Sequence, residues 1–268
     1  MRFYNTHKAF DHVVEMVKQY YAPNALFDNS LIVFGYNLSD KYQSEPLQQM
    51  IALEKAKGTH VIIYQLEQLY ENSPWLLVDT IMLLKLADEI WDYDLQNIEF
   101  LRERFGIIPK LRPMMHTMAI KTIPVVAPEK KDIDVLFYGN INPHREHMLS
   151  EIQKMIKPRK IVYVTDVWGK ELDEYLSRAK IVLNLHYFPT VRQEQVRMFH
   201  PVCNGICVLS EYSQQNYMGK SILNVPTEHL DIACYELLNT GKWKIQAANA
   251  ENSYKAMSER YWSKTIIK

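Results

Sequence analysis

An alternation along the chain most constrains what it can fold into. Short apolar runs rich in β-branched and aromatic residues fall at 31–34, 60–64, 89–91, 135–138, 161–165, 181–185 and 206–209, separated by longer stretches with a helical period. Each run is strand length and is bounded by turn residues. Strands that alternate with helices build βαβ units, whose crossovers make the strands parallel. The helices are expected at 46–57, 74–87, 94–105, 144–156, 171–178 and 191–202, with another from Thr227. Pro46 is tolerable in a first helical turn, where its missing amide costs nothing. Asp94 suits an N-cap, because its carboxylate accepts from free first-turn amides. The fold class is therefore α/β, in two doubly wound, Rossmann-like parallel-sheet halves.

The stretch KTIPVVAPEKK at 121–131 has two prolines, a charge run and no helical period, so it reads as a linker. It places the domain boundaries at 1–125 and 126–242, with a closing helix at 243–268 that packs back across the domains. In that last segment Ile245, Ala248, Tyr254, Met257 and Tyr261 recur at roughly helical spacing. The two halves also open alike, LIVFGYN at 31–37 and DVLFYGN at 134–140, each an apolar strand ending in Gly and Asn. Ligand crevices open at the carboxyl ends of parallel strands, where glycine admits a close backbone approach. Gly35 is either a site residue or a tight turn, whereas Gly139 is read as functional.

Composition narrows the class. A length of 268 residues and a 47% apolar share are enough for a packed core and exclude a disordered chain. The 31 basic residues balance 31 acidic ones, so no global field drives the protein onto nucleic acid or an acidic membrane. Cys203, Cys207 and Cys234 are too few for a disulfide framework, and the N-terminus lacks the apolar run of a signal peptide. A cytoplasmic location is expected. The stretch 75–87 is interrupted by Asp79 and Lys85 and falls short of the ~20 residues that span a bilayer, so it reads as a buried helix and no integral membrane segment is expected.

Three polar clusters fall at strand ends of the second half: Gly139, Asn140, His144 and Arg145; then Asn184, His186 and Tyr187; then Glu211. Strand ends on one sheet edge share a crevice, so these residues converge. A Gly-Asn loop opening a helix with a fixed cation suits a phosphate or diphosphate, although Arg145 reads equally as a solvated first-turn residue. Glu194 and Arg197 are three apart on one helix face, which allows Glu194 either to accept ribose hydroxyls or to pair with Arg197. His186 is either a ligand donor or a satisfied histidine at a strand end. In the first half, Glu67 follows a strand and is either an acceptor-side general base or a turn cap. Of the exposed-end aromatics, Tyr187 is the one expected to stack on a sugar or base. His144 and His147 lack a third ligand, so no metal site is expected.

Taken in order, DVLFYGN, the RE pair at 145–146, YLSRAKIVLNLHY, E-x-x-R at 194–197 and NGICVLSE resemble the nucleotide-binding half of the GT-B glycosyltransferases, in the family 1-like group of bacteria and large viruses. HVIIYQLEQL and ADEIWDYDLQNIEFL resemble the matching first half, so the resemblance runs over 31–261. It implies two Rossmann-like domains facing a cleft and a nucleotide-sugar donor held by the second. A hydroxyl-bearing acceptor, glycan or small molecule, would be held by the first. Metal-independent transfer is implied, with no cofactor beyond the donor, because basic side chains and helix ends stabilise the leaving diphosphate. By the same resemblance Gly139, Asn140 and Arg145 approach the diphosphate, and the loop at 166–169, Val167 included, lies beside the base. Asn184, Tyr187 and Arg197 join the donor site, and Glu194 binds the ribose. His186 stands where many retaining members carry the first glutamate of E-x7-E, which leaves the stereochemical course open.

Two rivals remain. One is a glycosyltransferase acting on hydroxymethylated bases of viral DNA, with Lys154, Lys157, Arg159 and Lys160 as the phosphate-facing group. The other is a non-catalytic nucleotide-binding module, suggested by His186 in the glutamate's place. G-x-G-x-x-G is absent, which argues against an NAD-dependent oxidoreductase. The chain has little room for acceptor-binding insertions, so the acceptor site is expected to be shallow or completed by a second subunit, in a monomer or homodimer.

Overall fold

The computed structural model describes residues 1–36, 41–188 and 190–265, with only the backbone at 41–43 and 264–265. Asn37, the end of the first strand-Gly-Asn opening, lies outside them. The chain divides into two compact units, Met1–Met114 and Met115–Lys268. The division falls upstream of the expected boundary at 125 because residues after Met115 are already tied into the second unit. The His116 amide donates to Ser258, the Ile123 amide donates to Asn204, and Asn204 donates back to Ile120.

In the first unit, β1 (Arg2–Asn5), β2 (Ser30–Phe34), β3 (His60–Gln65), β4 (Glu89–Asp92) and β5 (Lys110–Leu111) form one parallel sheet in that spatial order. Alternation sends Leu31, Val33, Val61 and Ile63 into a core with α2 (Lys41–Ala56), α3 (Val78–Leu86) and α4 (Leu95–Phe105). The opposite face carries Phe34, Tyr64 and Trp91, and Tyr21 of α1 (Asp11–Tyr21) packs on Trp91 with ring centroids 4.6 Å apart. Each such apolar side chain, taken fully out of water, contributes about 1.5–3 kcal/mol. The sheet is thus buried on both faces, as continuous apolar strands require.

Several elements depart from the expectation. β1 and α1 were not foreseen, although Val13, Val14, Met16, Val17 and Tyr21 carry a helical period. α2 begins at Lys41, so Pro46 lies inside the helix rather than at its start. α3 begins only at Val78 and is not the buried helix expected at 75–87, since Val78 is 77% exposed. Among the described residues no helix is long and apolar enough to cross a membrane.

In the second unit, β6 (Ile133–Tyr138), β7 (Ile161–Val164), β8 (Ala179–Asn184), β9 (Cys207–Glu211) and β10 (Leu223–Val225) form a parallel sheet ordered β10-β9-β8-β6-β7. One face packs Val135, Phe137, Ile181, Leu183 and Leu209 on α5 (Pro143–Ile156) and α8 (Leu230–Thr240). The alternate residues Leu136, Val182 and Val208 are buried too, beneath α6 (Gly169–Arg178), α7 (Gln195–Cys203) and α9 (Trp243–Thr265). α9 stands where the closing helix was expected, and within its own unit it packs on α7, β8 and β9.

The two sheets differ in a way that positions a site. In the first unit the strands lie in sequence order. In the second, β6 has β7 on one side and β8 on the other, so the winding reverses at β6. Crossover loops diverge at such a reversal and leave a crevice beyond the strand ends.

Candidate functional site

The crevice of the second unit begins at the end of β6. Gly139 has φ +124°, a conformation L side chains rarely adopt, and an added Cβ would lie 2.6 Å from Arg197 Nη1. Arg197 occupies that bare space, with Nη1 donating to Tyr138 O at 2.7 Å, while the Tyr138 hydroxyl donates to Arg197 O at 2.6 Å. The Arg197 guanidinium lies 5.9 Å from the ring centres of both Phe137 and Tyr138. Its Nε and Nη2 have no partner among the described residues.

α5 opens at once after this loop. Asn142 caps it, its side-chain oxygen accepting from the Arg145 amide at 2.9 Å, and Pro143 takes the first helical position. The Asn142 side-chain amide also donates to Tyr187 O at 2.8 Å, which ties the β6 loop to the β8 loop. Asn140, itself exposed, contributes its carbonyl rather than its side chain.

Arg145 is not the solvated first-turn residue its position allowed. It is fully buried, with Nε and Nη2 donating to Leu185 O at 3.0 and 2.7 Å and Nη1 donating to Asn140 O at 2.7 Å. Nη2 also reaches Glu194 Oε1 at 3.2 Å, and the guanidinium sits 5.0 Å from the Tyr187 ring centre. Burial, with Arg197 nearby, lowers its pKa to about 10, so it stays charged at neutral pH. Every nitrogen of Arg145 is already bonded. The arginine with nitrogens still unbonded among the described residues is Arg197.

Glu194 departs from expectation as well. Val191 has φ +52°, which no helix residue holds, so α7 starts at Gln195 and Glu194 is its N-cap residue rather than a member of its face. It pairs with Arg145, and Oε1 also accepts from the Tyr187 amide at 3.1 Å. Oε2 is buried without a hydrogen-bond partner.

His186 is buried, with Nε2 2.9 Å from Tyr212 O and Nδ1 3.8 Å from Glu194 Oε2. Its backbone amide donates to Glu211 Oε2, whose other oxygen meets His144 Nε2 at 2.8 Å and the Thr227 hydroxyl at 3.1 Å. Asn184 donates to Ser210 at 3.0 Å, and its side-chain oxygen is buried with no partner. Val167 lies half-buried in the loop after β7, next to Trp168, which is exposed. Among the described residues no hydrogen bond joins Val167 to this cluster.

Glu67 belongs to the first unit, just beyond β3. Its carbonyl accepts from Asn97 at 2.8 Å and its amide donates to Gln65 Oε1 at 3.1 Å, in a network with Asp92 and the buried Tyr36 hydroxyl. Burial, with Asp92 and Glu67 nearby, pushes the Tyr36 hydroxyl pKa well up and keeps it neutral. Asp94 caps α4 as expected, accepting from the Gln96 amide at 2.7 Å.

Sequence reasoning left Asn142, Tyr212 and Thr227 out of the site. Asn-Pro at the head of a helix was the legible signal for Asn142. Tyr212 acts through its carbonyl, which no sequence pattern marks.

No protein-family model and no curated protein matches the sequence. Solved structures do match the fold. An α-glucosyltransferase in complex with UDP-glucose and DNA containing an abasic site aligns over 98% of this chain and 87% of its own, at 12% identity and a TM-score of 0.59. Anabaena HepE in complex with UDP aligns over 100% of this chain and 99% of its own, at 8% identity and a TM-score of 0.56. The chain has the GT-B glycosyltransferase fold, as its motifs implied.

Proposed function

We propose that this protein is a glycosyltransferase that moves a sugar from a nucleotide diphosphate donor to a hydroxyl-bearing acceptor. The observation that carries the reading is the cluster at the β6 reversal: the half-free guanidinium of Arg197 lies over the bare Cα of Gly139, and Glu194, held by Arg145 and the Tyr187 amide, keeps one carboxylate oxygen that lacks a donor. Arg197 meets the diphosphate, where a fixed cation lowers the barrier to its departure without a metal. Glu194 accepts a ribose hydroxyl. Arg145, all of whose nitrogens are bonded within the fold, positions Glu194 and the 185–187 loop and does not touch phosphate. His186 binds rather than catalyses, because Nε2 is held by a carbonyl. Tyr187, with Arg145 beneath its ring, offers a stacking surface. The first unit supplies the acceptor side, with Glu67 as the general base.

UDP-glucose, the donor in the α-glucosyltransferase complex, is the first probe. A donor at a hundred times its dissociation constant stabilises the fold by about 2.7 kcal/mol. Thermal stabilisation by UDP-sugars, with transfer or donor hydrolysis that disappears in Arg197→Ala while the fold is retained, is the expected result. Wild-type turnover in Arg197→Ala would sink the assignment, and binding without turnover across donors and acceptors would favour a non-catalytic nucleotide-binding module.

A second acceptor class, hydroxymethylated bases of DNA, is favoured by one observation: the α-glucosyltransferase of matching fold was solved with DNA. Lys157, Arg159 and Lys160 supply cations at the end of α5, whereas Lys154 is paired with Glu151 at 2.5 Å. Binding to duplex DNA that weakens steeply with salt would support this acceptor.

A further inference from the structure

Glu194 Oε2 is buried and lacks a donor, while Oε1 has two, Arg145 Nη2 and the Tyr187 amide. The polar atom that faces it is His186 Nδ1, 3.8 Å away. Across the same ring, Nε2 is 2.9 Å from Tyr212 O. A carbonyl only accepts, so Nε2 carries a hydrogen, and in the neutral imidazole Nδ1 must then be bare. Neutral His186 therefore sets two acceptors against each other. A buried carboxylate oxygen left without a donor is costly, and two sources relieve it here: a proton on Nδ1, or a hydroxyl brought by a ligand.

α5 contributes the Arg145 guanidinium and His144, α7 contributes Arg197, and β9 contributes the Glu211 carboxylate, which holds the His186 amide. Two fixed cations thus stand against two carboxylates, Glu194 and Glu211, and the proton on His186 decides the balance. Histidine is the side chain that changes charge between about pH 5 and 8.

We propose that His186 and Glu194 form a proton-linked diol receptor. With Nδ1 protonated, its N–H donates to Glu194 Oε2 and the pair is closed. With Nδ1 bare, the two acceptors take a ligand that brings two adjacent hydroxyl donors, a vicinal diol. On ligand binding to the closed form the Nδ1–H bond breaks and the proton passes to solvent, so one proton leaves for each ligand bound. This deepens the donor-site reading and rests on it for the identity of the diol, the ribose of the nucleotide. It makes His186 a specificity residue in its own right.

Calorimetry with UDP in buffers of different ionisation heat tests the coupling. On the acid side of the histidine titration, wild type should release close to one proton per UDP and lose affinity by up to tenfold per pH unit. At pH 8 the release should vanish. Because the terminal phosphate of UDP also titrates, the decisive quantity is the difference from His186→Gln, which keeps a donor toward Tyr212 O and should lose the release. The 2′,3′-dideoxy analogue of UDP should lose it as well. Identical proton release in wild type and His186→Gln, or tighter binding by wild type alone on the acid side, would overturn the proposal.

The ligand-free protein supplies an independent reading. In side-chain NMR, the His186 titration should move to lower pH in Glu194→Gln. An unmoved titration overturns the receptor whatever UDP does. A moved titration with no UDP binding at any pH leaves the proton-linked pair standing and removes the donor-site reading instead.

Discussion

Single residues at the β6 reversal have consequences out of proportion to their size. Gly139 serves two needs, a φ of +124° and room for Arg197, so Gly139→Ala is strained by its backbone and displaces the cation together. Holding an L side chain in such a conformation costs about 1–3 kcal/mol. Urea unfolding should show a loss of that size, with nucleotide affinity down at least tenfold. Arg145 shows a different dependence. Replacing it with Met takes away the guanidinium paired with Glu194, and breaking a buried pair from one side typically costs about 3–5 kcal/mol. Arg145→Met should therefore lose stability and nucleotide binding together, whereas Arg197→Ala loses binding alone. Glycine before an Asn-Pro helix start was readable at these positions. The burial of Arg145 was not, because its partners are the carbonyls of Asn140 and Leu185, and main-chain acceptors leave no mark in a sequence.

At the scale of elements, caps and edge ties decide local stability. Asn142 caps α5 and bridges to the β8 loop, so Asn142→Ala should cost about 1 kcal/mol in chemical denaturation and also loosen Tyr187. In the first unit, Glu54 at the end of α2 holds β1 through Arg2 and also accepts from Lys57 and Thr59 at 3.0 Å. The hydrogen bond from Arg2, then those from Lys57 and Thr59, hold the Glu54 carboxyl at about 2, below its ordinary 4.5. A carboxyl lowered on folding contributes stability that is complete above its unfolded value and is lost as pH falls toward its folded value. The urea midpoint should therefore drop between about pH 4.5 and 2, and Glu54→Gln should flatten that drop. The strands of both cores were legible because parallel sheets buried on two faces need unbroken apolar runs. β1 was not, since a short edge strand with exposed Arg2 and Tyr4 carries no such run.

For the whole molecule, a formal charge of zero conceals an asymmetry. Residues 1–114 carry 11 basic and 15 acidic side chains, while 115–268 carry 20 and 16, a net −4 against +4. The positive half is the one with the proposed phosphate site, so donor binding should weaken measurably as ionic strength rises. All three thiols lie buried in that half, and burial pushes Cys203, Cys207 and Cys234 up to about 12. Native protein should therefore resist thiol reagents at pH 8, with labelling at a rate set by opening of the second unit. By itself the sequence determined the α/β class, two parallel sheets and the strand ends that carry polar residues, because hydrophobic period is local and survives in a linear string. The tertiary structure decided where the winding reverses, which arginine keeps unbonded nitrogens and which is consumed by carbonyls, and that His186 turns Nδ1 toward Glu194. Those outcomes depend on strand order and on main-chain partners far away in the chain, which a local pattern cannot encode.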